Sequence, residues 1–258
     1  MALADYEESS FEHDGVLRKV FKGSPVDPAK RGIVVVHELP GITPSVLSFA
    51  DRLIDRGAEV WLPSLVGTPG QEWSVPYVVQ SFAKVCVAKE FAYWASDQSP
   101  PITAWLRALA RELSAQLDGK KVGALGMCFS GGFALAMAAD PVVTAPVLSQ
   151  PASPLPVGED RRRAAQVSAE DLKAVVDSGC EVMGLRFTGD MAVPSVRFQA
   201  LQEALGTNFT AIEIKSPDRA LSIKRSAHSV LTEDLIDVPG HPTHAALHAV
   251  MDFFDAQL

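Results

Sequence analysis

Lys121-Val122-Gly123-Ala124-Leu125-Gly126-Met127-Cys128-Phe129-Ser130-Gly131-Gly132, continued by the Ala-rich run Phe133 to Ala139, decides the fold. A mainly apolar run gives a strand, the next seven residues give a sharp turn carrying a thiol, and the Ala-rich run gives a helix. A turn this tight drives its apex into a strained backbone conformation, so small residues must stand two places on either side, here Gly126 and Ser130. Cys128 occupies the apex. That position lifts a side chain clear of a sheet and aims backbone N–H groups from the start of the following helix at whatever the side chain attacks. It suits a nucleophile.

Outward from this elbow, short β-rich runs alternate with longer helical patterns. Ile33 to Val36 is a continuous apolar strand of the kind buried on both faces, and Val46 to Arg56 follows with helical spacing. Ala58 to Leu62 reads as a strand, Phe82 to Tyr93 and Ile102 to Leu117 as helices, the latter stopped by Asp118-Gly119. After the elbow come a strand at Val143 to Leu148, a helix at Ala169 to Val176, a strand at Val182 to Phe187, a helix at Val196 to Leu205, a strand at Thr210 to Ile214 and a closing helix at Thr243 to Phe254. The alternation predicts an α/β fold, a mostly parallel sheet with helices on both faces and chemistry just beyond the carboxyl ends of strands. The long connection from Gln150 to Ser168, with Pro151, Pro154 and Pro156, is expected to shape a mouth or lid.

The 258 residues suffice for one large domain spanning 1–258, and 47% hydrophobic content supports a substantial core. A net charge of −8 excludes the clustered Lys and Arg of a nucleic-acid binder. Arg161-Arg162-Arg163 reads as a solvated surface run. Met1 to Ser10 is acidic without an apolar core, so no signal peptide is expected, and no segment is long and apolar enough to span a bilayer. Cys86, Cys128 and Cys180 lack metal-ligand spacing and an even count, which fits reduced thiols in a cytoplasm. Cys86 and Cys180 read as ordinary packed thiols.

Three further polar residues stand just after strands: Glu38 in His37-Glu38-Leu39-Pro40-Gly41, Asp190 after Leu185 to Gly189, and His228 in Ala227-His228-Ser229. The chain order Cys128, Asp190, His228 is the nucleophile, acid, histidine order of an α/β-hydrolase. It assigns roles. Cys128 attacks a carbonyl carbon as thiolate, His228 accepts and returns a proton, and Asp190 fixes the imidazole tautomer. The N–H groups of Leu39 and Phe129 are the expected oxyanion donors. His37 reads as a strand-end packing residue. His244, His248 and Asp252 share one face of the closing helix, with His241 just before it; they read as a polar helix face, with no metal expected.

Gly-Met-Cys-Phe-Ser-Gly-Gly, His-Glu-Leu-Pro-Gly-Ile, Gly-Asp-Met-Ala-Val-Pro and Ala-His-Ser together resemble the motifs of the dienelactone hydrolase family of α/β-hydrolases. The resemblance runs from about Gly32 to the final helix. It implies a cysteine nucleophile assisted by His228 and Asp190, no cofactor, and a contact between Glu38 and the thiol that helps generate the thiolate once substrate has bound. It also implies a small-molecule ester or lactone substrate, without nucleic-acid or membrane partners. Members acting on dienelactone carry an arginine a few residues beyond the histidine. This chain has Ser229-Val230-Leu231-Thr232-Glu233 there, leaving Arg197 or Arg225, and Lys84 or Lys89, to pair with a substrate carboxylate. The expected activity is hydrolysis of a lactone or carboxylic ester through a thioester acyl-enzyme. The alternative is an elbow thiol that serves as a redox sensor or acyl-binding site without efficient turnover.

Overall fold

The computed structural model describes residues 2–87, 91, 98–152 and 158–258. Eight strands form one sheet in the order β1-β2-β4-β3-β5-β6-β7-β8. They are β1 (Glu7–His13), β2 (Val16–Gly23), β3 (Arg31–Val36), β4 (Ala58–Pro63), β5 (Val122–Met127), β6 (Val143–Ser149), β7 (Val182–Phe187) and β8 (Phe209–Ile214). From β4 to β8 every pairing is parallel; β1 and β2 add antiparallel at one edge. The helices are α1 (Pro44–Asp55), α2 (Val75–Val87), α3 (Ile102–Gln116), α4 (Gly131–Met137), α5 (Glu159–Arg163), α6 (Ala169–Ser178), α7 (Ser195–Leu205) and α8 (Pro242–Gln257).

Period-two alternation sends each strand into two cores. Val34 and Val36 of β3, with Val122 and Ala124 of β5, face α3, α4 and α7 through Leu106, Leu109, Phe133 and Phe198. Ile33 and Val35, with Leu125 and Met127, face α1 and α8 through Phe49, Leu53, Leu247 and Phe254. Ile33 to Val36 are wholly buried, as a strand covered on both faces must be. The expected architecture, an α/β-hydrolase fold, is the one observed.

The differences lie at the margins. The hairpin of β1 and β2 went unread because its strands are half exposed and lack a long apolar run. Its signal was Asp14-Gly15, which takes φ of +50° and +76° as a two-residue hairpin turn requires. α2 begins seven residues before the expected Phe82, and the part of that reading beyond Val87 lies outside the described residues, as do Lys89, Pro154, Pro156 and the side chain of Cys86. The Arg161 to Arg163 run lies on α5, where Arg163 pairs with Glu203 at 2.6 Å. Among the described residues, no helix is long and apolar enough to cross a membrane.

Candidate active site

Cys128 sits where β5 ends and a single tight turn, Cys128–Ser130, leads into α4. Its φ is +56°, the left-handed region that a β-carbon penalises. Two neighbours make the strain tolerable. A β-carbon on Gly126 would meet the Ser130 carbonyl oxygen at 2.1 Å, so only glycine lets the chain fold back here. The buried Ser130 hydroxyl accepts from the Met127 amide at 2.9 Å and lies 2.9 Å from the Val36 carbonyl oxygen and 3.1 Å from that of His37, fastening the elbow to the end of β3.

Asp190 lies in the turn after β7. One of its carboxylate oxygens accepts from the Ala192 amide at 2.9 Å; the other meets Nδ1 of His228 at 2.6 Å. That bond fixes the proton on Nδ1 and leaves Nε2 for the sulfur of Cys128. Burial works against a charged His228 ring, but the Cys128 sulfur beside it and the hydrogen bond it donates to Asp190 outweigh this and raise its pKa well above the usual value. The loop bearing His228 is itself held by a carboxylate that sequence reading missed. Asp234 accepts from the amides of His228 at 2.8 Å and Ser229 at 3.1 Å.

Glu38 is buried beyond the end of β3. Its carboxylate accepts from the Ser229 hydroxyl at 2.7 Å, from the Gln150 side-chain amide at 3.1 Å and from the Thr232 hydroxyl. Among the described residues its hydrogen-bond partners therefore belong to the histidine loop and the end of β6, with the thiol not among them. Burial raises its pKa despite the hydroxyls of Ser229 and Thr232. Gln150 also went unnoticed, although it directly follows a strand, the place where chemistry was expected.

His37 packs as expected. Its Nε2 accepts from the Leu65 amide at 3.1 Å, its Nδ1 donates to the Glu38 carbonyl at 2.8 Å, and burial lowers its pKa to about 4, which keeps the ring neutral. Burial pushes the Cys180 thiol up to about 11, which suits an unreactive packed sulfur. On α8 the histidines and Asp252 have partners of their own. His241 caps the helix against Thr243, His244 meets Asp237 at 2.7 Å, and Arg56 reaches both Asp252 and His248.

Cys128, Asp190, His228 and Leu39 all line one pocket of about 700 Å³, a size suited to a small organic ligand. Of the cations considered for a substrate carboxylate, Arg225 lines this pocket, whereas Arg197 and Lys84 do not; Lys224, which sequence reading passed over, lines it beside Arg225. Arg197 is wholly buried and donates to the carbonyls of Ala164 at 2.8 Å and Pro151 at 2.6 Å. The sequence offered it as a partner for a substrate carboxylate; nothing there marked it as a strut.

The topology and the convergence of strand ends on one pocket define an α/β-hydrolase. The match of residues 19–220 to the dienelactone hydrolase family model covers most of the chain, so this protein belongs to that family and is an ester or lactone hydrolase. Solved structures agree in fold. A dienelactone hydrolase from Anabaena variabilis aligns with a TM-score of 0.63 at 17% identity, covering 98% of this chain and 99% of that one. A putative dienelactone hydrolase from Klebsiella pneumoniae gives 0.64 at 17% identity, with 97% and 98% covered. A dienelactone hydrolase-like promiscuous phosphotriesterase from metagenomic libraries gives 0.61 at 16% identity, with 98% of each chain covered. No curated protein matches the chain.

Proposed function

We propose that this protein is a cysteine hydrolase that cleaves a carboxylic ester or lactone through a thioester. The observation that supports this most directly is that the strained elbow thiol shares a pocket with a His228 ring anchored at 2.6 Å to Asp190. The Cys128 thiolate adds to the carbonyl carbon, and the resulting oxyanion is held by the backbone N–H groups of Leu39 and Phe129. Collapse breaks the bond to the alkoxy oxygen, which takes its proton from Nε2 of His228. Neutral His228 then draws a proton from water as the water attacks the thioester, and the acid product leaves with Cys128 restored as thiolate and His228 again protonated.

Asp190 holds the tautomer throughout. Asp234 and Glu38 act as positioning residues, the first on the loop backbone, the second through Ser229 and Thr232. No step calls for a cofactor. A reduced thiol of this kind suits a cytoplasmic setting.

The test is turnover of 4-nitrophenyl acetate with intact-mass spectrometry. Wild-type protein mixed with ester should show a transient adduct of the acyl mass, and Cys128→Ala should lose both adduct and turnover while unfolding at the same temperature. Cys128→Ser should keep only weak activity, because an oxygen nucleophile depends more on its base. Undiminished turnover by Cys128→Ala would refute the mechanism.

A further inference from the structure

The pocket above Cys128 has two unlike walls. One is apolar, made by Leu39 beyond β3, Trp73, Val78 and Phe82 on α2 and its approach, and Met191 and Ala192 beyond β7. Trp73 is 44% exposed and Met191 88% exposed. Large apolar side chains gathered bare around a cavity mouth mark a surface that a ligand covers. The other wall is polar, with Lys224, Arg225, Glu233 and Asp234. Two cations beside two carboxylates give that wall no net charge, and Lys224, Arg225 and Glu233 are exposed to water that screens them.

Among the described residues, the buried groups around the site that could grip an anion are occupied. The Ser229 and Thr232 hydroxyls and the Gln150 amide donate to Glu38. The Arg197 guanidinium is turned onto backbone carbonyls. Glu233 adds a negative charge to the pocket lining, which disfavours a carboxylate beside it.

We infer that the pocket selects an uncharged ester or lactone whose acyl part is bulky and apolar and lies against Leu39, Trp73, Phe82 and Met191. The inference rests on Cys128 being the nucleophile. Burying each added methylene against this wall strengthens binding in the transition state, whereas a carboxylate there loses its hydration without gaining a partner.

The experiment measures kcat/KM of the full chain for 4-nitrophenyl acetate, butyrate, hexanoate and octanoate, and for the esters of equal length ending in a carboxylate. The expected result is a rise of about tenfold or more from acetate to hexanoate, with each carboxylate ester at least about tenfold below its uncharged counterpart. Trp73→Ala and Met191→Ser should reduce hexanoate turnover more than acetate turnover, flattening the series. Glu233→Gln should narrow the gap between charged and uncharged esters. Cys128-dependent turnover that is flat with chain length, or that favours the carboxylate esters and loses that preference in Arg225→Ala, would overturn the inference while leaving the hydrolase reading intact. Absence of Cys128-dependent turnover on every ester would overturn both.

Discussion

In the proposed mechanism the thiol of Cys128 depends on the ring of His228 beside it. The Cys128 sulfur and Asp190 raise the pKa of His228 above its ordinary value, against the burial that lowers it, and so favour the protonated ring. Asp190→Asn removes the anion that holds Nδ1 of His228 and should lower kcat for 4-nitrophenyl acetate by about a hundredfold or more. An Asp190→Asn variant that kept its kcat would argue against that anchor. The sign for stability follows. A histidine with a raised folded pKa stabilises fully below about pH 6.5, and this contribution fades as pH climbs through the folded value. Glu38 also has a raised pKa, from burial, so the folded state holds its proton after the unfolded chain has released it, and its ionisation destabilises the fold as pH rises above 4.5. Glu38→Gln keeps the shape and removes that charge, with the carbonyl oxygen still accepting from Ser229 and Gln150 and the Thr232 hydroxyl turned to accept from the new amide. We expect a melting temperature at pH 8 equal to or above wild type, together with a kcat about tenfold or more lower. A large loss of melting temperature would show that the carboxylate stabilises the fold rather than orienting Ser229 and Thr232.

Elements explain why some of these residues could be read from the chain and others could not. The elbow was legible because its constraint is local. Gly126, Cys128 and Ser130 are fixed by sterics within five residues, and the Ser130 carbonyl at 2.1 Å from a β-carbon on Gly126 is the reason in atomic terms. Gly126→Ala should accordingly cost about 1–3 kcal/mol in chemical unfolding and lower turnover far more than the stability loss explains, since the backbone must shift under the thiol. An alanine variant with normal stability and rate would mean that the elbow relaxes freely. β3, β5 and β7 were legible because strands covered on both faces read as mainly apolar runs, broken in β7 only by Arg186, and Asp190 could be placed because it follows one of them. β1 and β2 escaped because an edge hairpin leaves a weak alternation and only its Asp14-Gly15 turn to find. Asp234 escaped because a carboxylate that bonds amides six and five positions back reads like any loop carboxylate, and Gln150 and Thr232 escaped for another reason. Each contacts its partner through a loop whose path depends on tertiary packing, as with Thr232 and Glu38, 194 positions apart, and no local pattern encodes that distance.

Across the whole molecule, the pocket wall depends on one buried cation. Arg197 on α7 reaches the Pro151 carbonyl after β6, the Ala164 carbonyl before α6 and, at 3.4 Å, the Ala192 carbonyl after β7. Ala152 and Ala192, neighbours of these contacts, line the pocket. A planar guanidinium with a fixed fork of donors can serve several carbonyls at once, whereas an ammonium is a single point. Arg197→Met should leave those carbonyls without a donor and destabilise the protein by about 2–4 kcal/mol, and Arg197→Lys should recover little of it. Because the displaced loops carry Ala152 and Ala192, KM for an apolar ester should rise in whatever folded fraction remains, even where kcat per folded site changes little. Denaturant titration beside steady-state kinetics separates the two effects. Were Arg197 instead to bind substrate, the lysine variant would keep full stability and lose affinity only for esters bearing a carboxylate.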